Sequence, residues 1–159
     1  MEDLGTRILT TLSQEFADVT DIEALTRIVS RLLLALLLGG LLGYEREHSG
    51  KAAGLRTHML VCGGAALFIL APQMSGAGSD ALSRAIQGVV AGIGFLGAGT
   101  ILKGDDLDTH RVKGLTTAAG LWMTAAIGVS VGMGREATAV IATLLAFLVL
   151  AVVPKSFRR

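Results

Sequence analysis

The apolar and polar positions of this chain fall into blocks, and the blocks predict helices. Residues 1–19 place Leu4, Ile8, Leu12 and Phe16 at strict i, i+4 spacing, with Glu2, Asp3, Glu15 and Asp18 against Arg7 on the polar side. That is an amphipathic helix lying at a membrane face, against a bundle, or against a partner. Next, Thr20-Asp21-Ile22-Glu23 reads as a capping box, in which hydroxyl and carboxylate satisfy orphan backbone donors reciprocally. Beyond it come five apolar runs, at about 24–44, 57–72, 85–102, 115–133 and 137–153. Ala85 to Leu102 carries no charge and would make roughly 27 Å of helix, close to the ~30 Å of bilayer hydrocarbon. The predicted fold is all-α: a polytopic membrane protein with five transmembrane helices over residues 20–159, preceded by an amphipathic N-terminal helix.

The first two spans have short apolar cores. Leu32 to Gly43 and Met59 to Ala71 are the charge-free stretches, the second ended by Pro72. Ionisable groups must therefore enter the membrane or snorkel out of it, with Arg27 and Arg31 at one end of the first span. At the other end Glu45, Arg46, Glu47, Arg56, Thr57 and His58 gather at one membrane face. They read either as an interfacial ion-pair cluster or as a polar functional site. An Arg56–Glu45 or Arg56–Glu47 pair is expected to fix the first hairpin, since Arg engages a carboxylate through two parallel hydrogen bonds.

Glycine changes the picture for packing. Gly88, Gly92, Gly94, Gly97 and Gly99 would each cost a soluble helix about 1 kcal/mol relative to Ala. In lipid, small residues let backbones approach closely, and Gly39-x-x-x-Gly43, Gly88-x-x-x-Gly92 and Gly128-x-x-x-Gly132 have the required spacing. These surfaces predict close helix contacts within the chain and self-association as a dimer. Trp122 falls well inside its span and is expected in the core, whereas Tyr44 suits an interfacial belt.

Composition agrees with a membrane protein: 52% of residues are hydrophobic, 17% are charged, and mean hydropathy is +0.63. A net charge of +1, with no basic-aromatic stretch, argues against a nucleic-acid partner. Cys62 is the single cysteine, so there is no disulfide framework. With five spans, nine basic residues (Arg46, Lys51, Arg56, Lys103, Arg111, Lys113, Lys155, Arg158, Arg159) face one side and five (Arg7, Arg27, Arg31, Arg84, Arg135) the other. The positive-inside rule then puts the N-terminus outside and the C-terminus in the cytoplasm. A shift of sixty residues aligns Leu36, Gly39, Leu42, Gly54, Leu55, Thr57, Ala65 and Ala66 with identical residues, and Glu45 with Asp105. That pattern suits a duplicated hairpin in parallel orientation.

Four motifs in order carry a family resemblance. Gly43-Tyr44-Glu45-Arg46-Glu47, Ala53-Gly54-Leu55-Arg56-Thr57, Gly92-Ile93-Gly94-Phe95-Leu96-Gly97-Ala98-Gly99 and Lys113-Gly114-Leu115-Thr116-Thr117-Ala118-Ala119 together resemble the MgtC/SapB membrane domain over roughly residues 28 to 153. The resemblance implies a bacterial inner-membrane protein connected with magnesium limitation. In some members it also implies virulence and restraint of the F-type ATP synthase. With six residues after Val153, the chain is similar to the shorter SapB-like members, which lack the soluble C-terminal domain of MgtC proper.

No helical HExxH, GxSxG or P-loop appears, so no enzymatic chemistry is expected. Lys113, Gly114, Thr116 and Thr117 open the fourth span, where the hydroxyls are expected to cap backbone N–H groups. Asp105, Asp106 and Asp108 read as a solvated loop or a weak Mg²⁺ site, and no other cofactor is implied. Two functions follow. One is a regulatory or structural protein acting by helix–helix contact with itself or another inner-membrane protein. The other is a transporter or channel for magnesium or another ion.

Overall fold

A computed structural model describes residues 3–15, 17, 19, 21–102 and 112–153. Its six helices are α1 (Leu4–Glu15), α2 (Ile22–His48), α3 (Leu55–Met74), α4 (Ser79–Leu102), α5 (Leu115–Gly132) and α6 (Glu136–Val152). Helices α2 to α5 are long and apolar enough to cross a membrane, and α6 is a shorter apolar helix of 17 residues. At 1.5 Å per residue α6 reaches about 26 Å, the lower limit for a span. The chain is an all-α, polytopic membrane protein.

It divides into two units, Met1–Ser30 and Arg31–Arg159. In the first, no residue of α1 is buried, and Leu4, Ile8 and Leu12 are exposed along one stripe. The hydroxyls of Thr10 and Thr11 return to the carbonyls one turn back. Phe16 and Thr20 lie outside the described residues. The N-terminal cap of α2 differs from the expected box: the Ala24 N–H donates to Oδ1 of Asp21, at 2.6 Å.

In the second unit α3 is the shared wall. A Cβ on Gly39 of α2 would lie 2.6 Å from the His58 carbonyl oxygen, and one on Gly43 would lie 2.7 Å from Leu55 Cα. On the other side, a Cβ on Gly128 of α5 would run into the Cys62 carbonyl, and one on Gly132 would lie 2.6 Å from the Ala66 carbonyl. Two of the three glycine pairs thus let helices meet backbone to backbone within the chain. Leu38, Leu42, Ala66, Ile127, Val131 and Ala139 fill the core between α2, α3, α5 and α6. Buried Thr124 and Thr143 donate to the carbonyls of Gly120 and Ala139, so neither hydroxyl is left unpaired in an apolar setting.

Helix α4 departs from expectation. It starts at Ser79, six residues early, with Asp80 in the first turn, where a carboxylate suits the helix dipole. Ile93 packs with Leu121 and Ala125, and a Cβ on Gly97 would lie 3.4 Å from Ala118 Cβ of α5. Gly88, Gly92, Gly94 and Gly99, however, face open space. Among the described residues nothing packs closely on the Gly88–Gly92 pair. Phe95, 82% exposed, stands on that open side. Trp122 is likewise half-exposed instead of in the core. Tyr44, near the end of α2, stacks on His48 and is exposed, as a belt residue would be.

Candidate functional site

At the C-terminal end of α2 the chain turns through Gly50, whose φ of 64° permits the left-handed cap, and re-enters a helix at Leu55. Gly54 has no side chain to cap α3. Glu47 takes that role from eight residues away, its Oε2 accepting the Leu55 N–H at 2.8 Å. A carboxylate at a helix N-terminus also meets the positive end of the dipole.

Glu47 is therefore committed to the backbone of α3. Glu45 accepts from Arg46 Nε and from Ser49 Oγ. Arg56 is exposed, and among the described residues no ion pair joins it to Glu45 or Glu47. The expected Arg56 pair does not form. The physical reason is position: Arg56 is the second residue of α3 and points outward, while both carboxylates are engaged elsewhere. Thr57 is half-buried beside it.

Arg46 and His58 are the interior members of the cluster. Arg46 is 2% exposed, and its Nη2 donates to the Leu150 carbonyl of α6 at 3.0 Å. An arginine near a helix C-terminus satisfies an orphan carbonyl and complements the dipole. His58 is fully buried, and its Nδ1 donates to the Gly54 carbonyl at 3.0 Å. Its Nε2 has no hydrogen-bond partner. Gly43, just before Glu45 and Arg46 on α2, lies against the ring-bearing carbon: a Cβ there would be 2.9 Å from His58 Cβ. Glu45, Arg46 and His58 thus form one polar group at one end of the bundle, between helices that are otherwise apolar.

The start of α5 is built differently from expectation. No side chain caps it, and Gly114 (φ 94°) is the N-cap. A Cβ there would collide with the Thr100 carbonyl, so both conformation and close approach require glycine. Thr116 is exposed, Thr117 is buried, and Lys113 is exposed. Asp105, Asp106 and Asp108 lie outside the described residues.

A second polar tie, not assembled from sequence, closes the opposite end. Arg31 Nη1 donates to Gln73 Oε1 at 3.3 Å and to the Gly132 carbonyl at 3.0 Å, and its Nε lies 3.4 Å from Glu136. The signal was present in the short apolar core of the first span, which forces Arg31 into the bundle. Arg31 meets the C-terminus of α5 and Arg46 the C-terminus of α6, so α5 and α6 run in opposite directions, as successive spans must.

The two larger of the clefts found among the described residues lie on different sides of the bundle. One, of about 670 Å³, lies between α3 and α4 and is lined by Gly64, Phe68, Gly88, Gly92 and Ile93. The other, of about 300 Å³, lies between α2, α5 and α6 and is lined by Leu42, Thr116, Gly120, Leu145, Val149 and Leu150.

The chain resembles curated proteins over about three quarters of its length. It is 46% identical over 129 residues to SrpB of Synechococcus elongatus, covering 76% of this chain and 71% of SrpB. It is 44% identical over 117 residues to MgtC of Salmonella typhimurium, covering 74% of this chain and 48% of MgtC. It is 40% identical over 131 residues to "Putative magnesium transporter YhiD" of Escherichia coli, covering 78% of this chain and 59% of YhiD. The chain thus spans about half the length of MgtC. No solved structure matches it. The model of the MgtC family matches residues 32–159, from the middle of α2 through every element of the polar cluster, and the chain belongs to that family.

Proposed function

We propose that this protein is a non-enzymatic component of the bacterial inner membrane that serves adaptation to low magnesium by helix–helix contact. The contact is made with a second copy, as a dimer, or with another inner-membrane protein. The observation that carries the reading is α4, which packs on α5 and less closely on α3, and leaves Gly88, Gly92 and Gly99 without a close neighbour among the described residues, beside exposed Phe95. A helix with so small a surface lets another backbone come close, where dispersion contacts accumulate. The link to magnesium draws support from the name of the relative YhiD and from the family. The nine-to-five distribution of basic residues supports an N-terminus outside and the Arg46 end of the bundle in the cytoplasm.

A second reading, transport of magnesium or another ion, is favoured by the printed name of YhiD and by buried Arg46 and His58 with half-buried Glu45. Growth in limiting magnesium separates the two when combined with a flux assay. A deletion strain carrying Gly92→Leu should grow as poorly as the empty strain although the protein accumulates normally, and purified protein in liposomes should pass no Mg²⁺. Flux above that of empty liposomes would replace contact by transport.

A further inference from the structure

No residue of α1 is buried, and Leu4, Ile8, Leu9 and Leu12 are each more than half exposed. At 3.6 residues per turn these four share one side of the helix, with Thr6, Thr10 and Gln14 opposite. A helix of 12 residues is marginal in water and takes most of its stability from packing an apolar face. Among the described residues nothing covers that face, so the cover comes from elsewhere. The polar side places few demands on water. The hydroxyls of Thr10, Thr11 and Ser13 donate to the carbonyls of Thr6, Arg7 and Thr10.

The connection to α2 decides what the cover is. Residues 16–21 separate the two helices and reach at most about 20 Å when extended. Helix α2 crosses the membrane and leaves Ile22, Leu25 and Val29 exposed from its first turn. The lipid-facing surface therefore begins where the connection ends, and α1 is held within reach of it. That tether makes lipid the apolar partner of highest effective concentration. Charge narrows the lipid. Residues 1–21 carry Glu2, Asp3, Glu15, Asp18 and Asp21 against Arg7 alone, so anionic head groups repel this segment and zwitterionic ones do not.

We infer that α1 lies in the plane of the membrane interface as a lipid-docking helix, with Leu4, Ile8, Leu9 and Leu12 among the acyl chains of zwitterionic lipid. A helix without a basic face docks by apolar area alone, and the adjoining span supplies the second anchor that one short stripe needs. Helix α1 precedes the segment shared with the MgtC family and does not use the open face of α4, so the docking is independent of contact through that helix.

Spin labels report the depth. Cys62 is fully buried, so Ile8→Cys, Thr10→Cys and Leu12→Cys in the full chain take the label, with the unsubstituted chain as background. No buried contact is lost at these positions, so the bundle folds in each variant. In nanodiscs of phosphatidylcholine, collision with oxygen, which partitions into lipid, is compared with collision with a water-soluble nickel chelate. Labels at positions 8 and 12 should favour oxygen and sit about 5–10 Å into the acyl boundary, while the label at position 10 should favour nickel. Leu4→Gln with Leu9→Gln should bring the label at position 12 out to the depth of that at position 10. Replacing part of the phosphatidylcholine by phosphatidylglycerol should leave it no deeper. Preference for nickel at all three positions would place α1 in water. Shielding of positions 8 and 12 from both reagents would place it against protein, either the bundle or a second copy. Each of these outcomes, or a label at position 12 unmoved by the glutamines, overturns the docking. A deeper label in the phosphatidylglycerol discs overturns the lipid class.

Discussion

Replacing Gly128 by Ala adds one methyl group where there is no room for it. The new Cβ would run into the Cys62 carbonyl and lie 2.9 Å from Ala65 Cβ. The obstacle is backbone of α3, which cannot rotate away as a side chain would, so α3 and α5 must separate along their whole contact. Overpacking typically costs about 1–3 kcal/mol, and a backbone obstacle belongs at the upper end. Against this, Ala gains about 1 kcal/mol over Gly in helix propensity. The net expectation for Gly128→Ala is a loss of about 2 kcal/mol. Gly92→Ala is the internal control: the position is open, so only the propensity remains and the fold should gain up to about 1 kcal/mol. Unfolding in mixed micelles of dodecyl maltoside and increasing dodecyl sulfate, followed by circular dichroism, measures both. The midpoints should move in opposite directions. If Gly128→Ala unfolds at the wild-type midpoint, or both variants move together, glycine at the α3–α5 contact is not set by backbone proximity.

Three further substitutions test the polar ties, one of them as a control. Arg46→Ala takes the cationic partner from Glu45, which keeps Ser49, and the donor from the Leu150 carbonyl, and should cost about 3 kcal/mol, whereas Arg56→Ala, at an exposed position with no ion pair among the described residues, should stay within about 0.5 kcal/mol of wild type; the same micelle titration compares them. Arg31→Ala removes the donors to Gln73 and Gly132 and should cost about 2 kcal/mol, with faster proteolysis at the α5–α6 turn as the readout.

The helices were legible in the chain because their ends are punctuated. Gly114 before α5 and Gly134-Arg135-Glu136 before α6 put both boundaries within one residue of expectation. The start of α4 was not, because hydropathy sees only the apolar segment and Ser79-Asp80 extend the helix beyond it. Spacing alone also could not say which glycine pairs are used: Gly39–Gly43, Gly88–Gly92 and Gly128–Gly132 look alike in sequence, and only the position of α3 separates them. In the polar cluster the membership of Glu45, Arg46 and His58 was visible, but the pairing was not. Glu47 caps a helix that begins eight residues later, and a carboxylate serving backbone leaves no trace in side-chain spacing. His58 follows Arg56 and Thr57 and so looked interfacial, yet Gly43 makes room for it beneath α2.

Arg31 and Arg46 carry a consequence for the lipid around this protein. They sit fifteen residues apart on one helix, about 22 Å along its axis. Each guanidinium is fastened to a backbone carbonyl of another helix, so neither can reach up toward the head groups. They act as calipers, defining two polar planes closer together than the ~30 Å of ordinary hydrocarbon. Where the hydrocarbon is thicker than that spacing, the mismatch beside α2 is met by local thinning or by oligomerisation, at a cost of fractions of a kcal/mol per ångström. A thin membrane relieves that mismatch and a thick one increases it, which makes this small bundle a gauge of the thickness of its own surroundings.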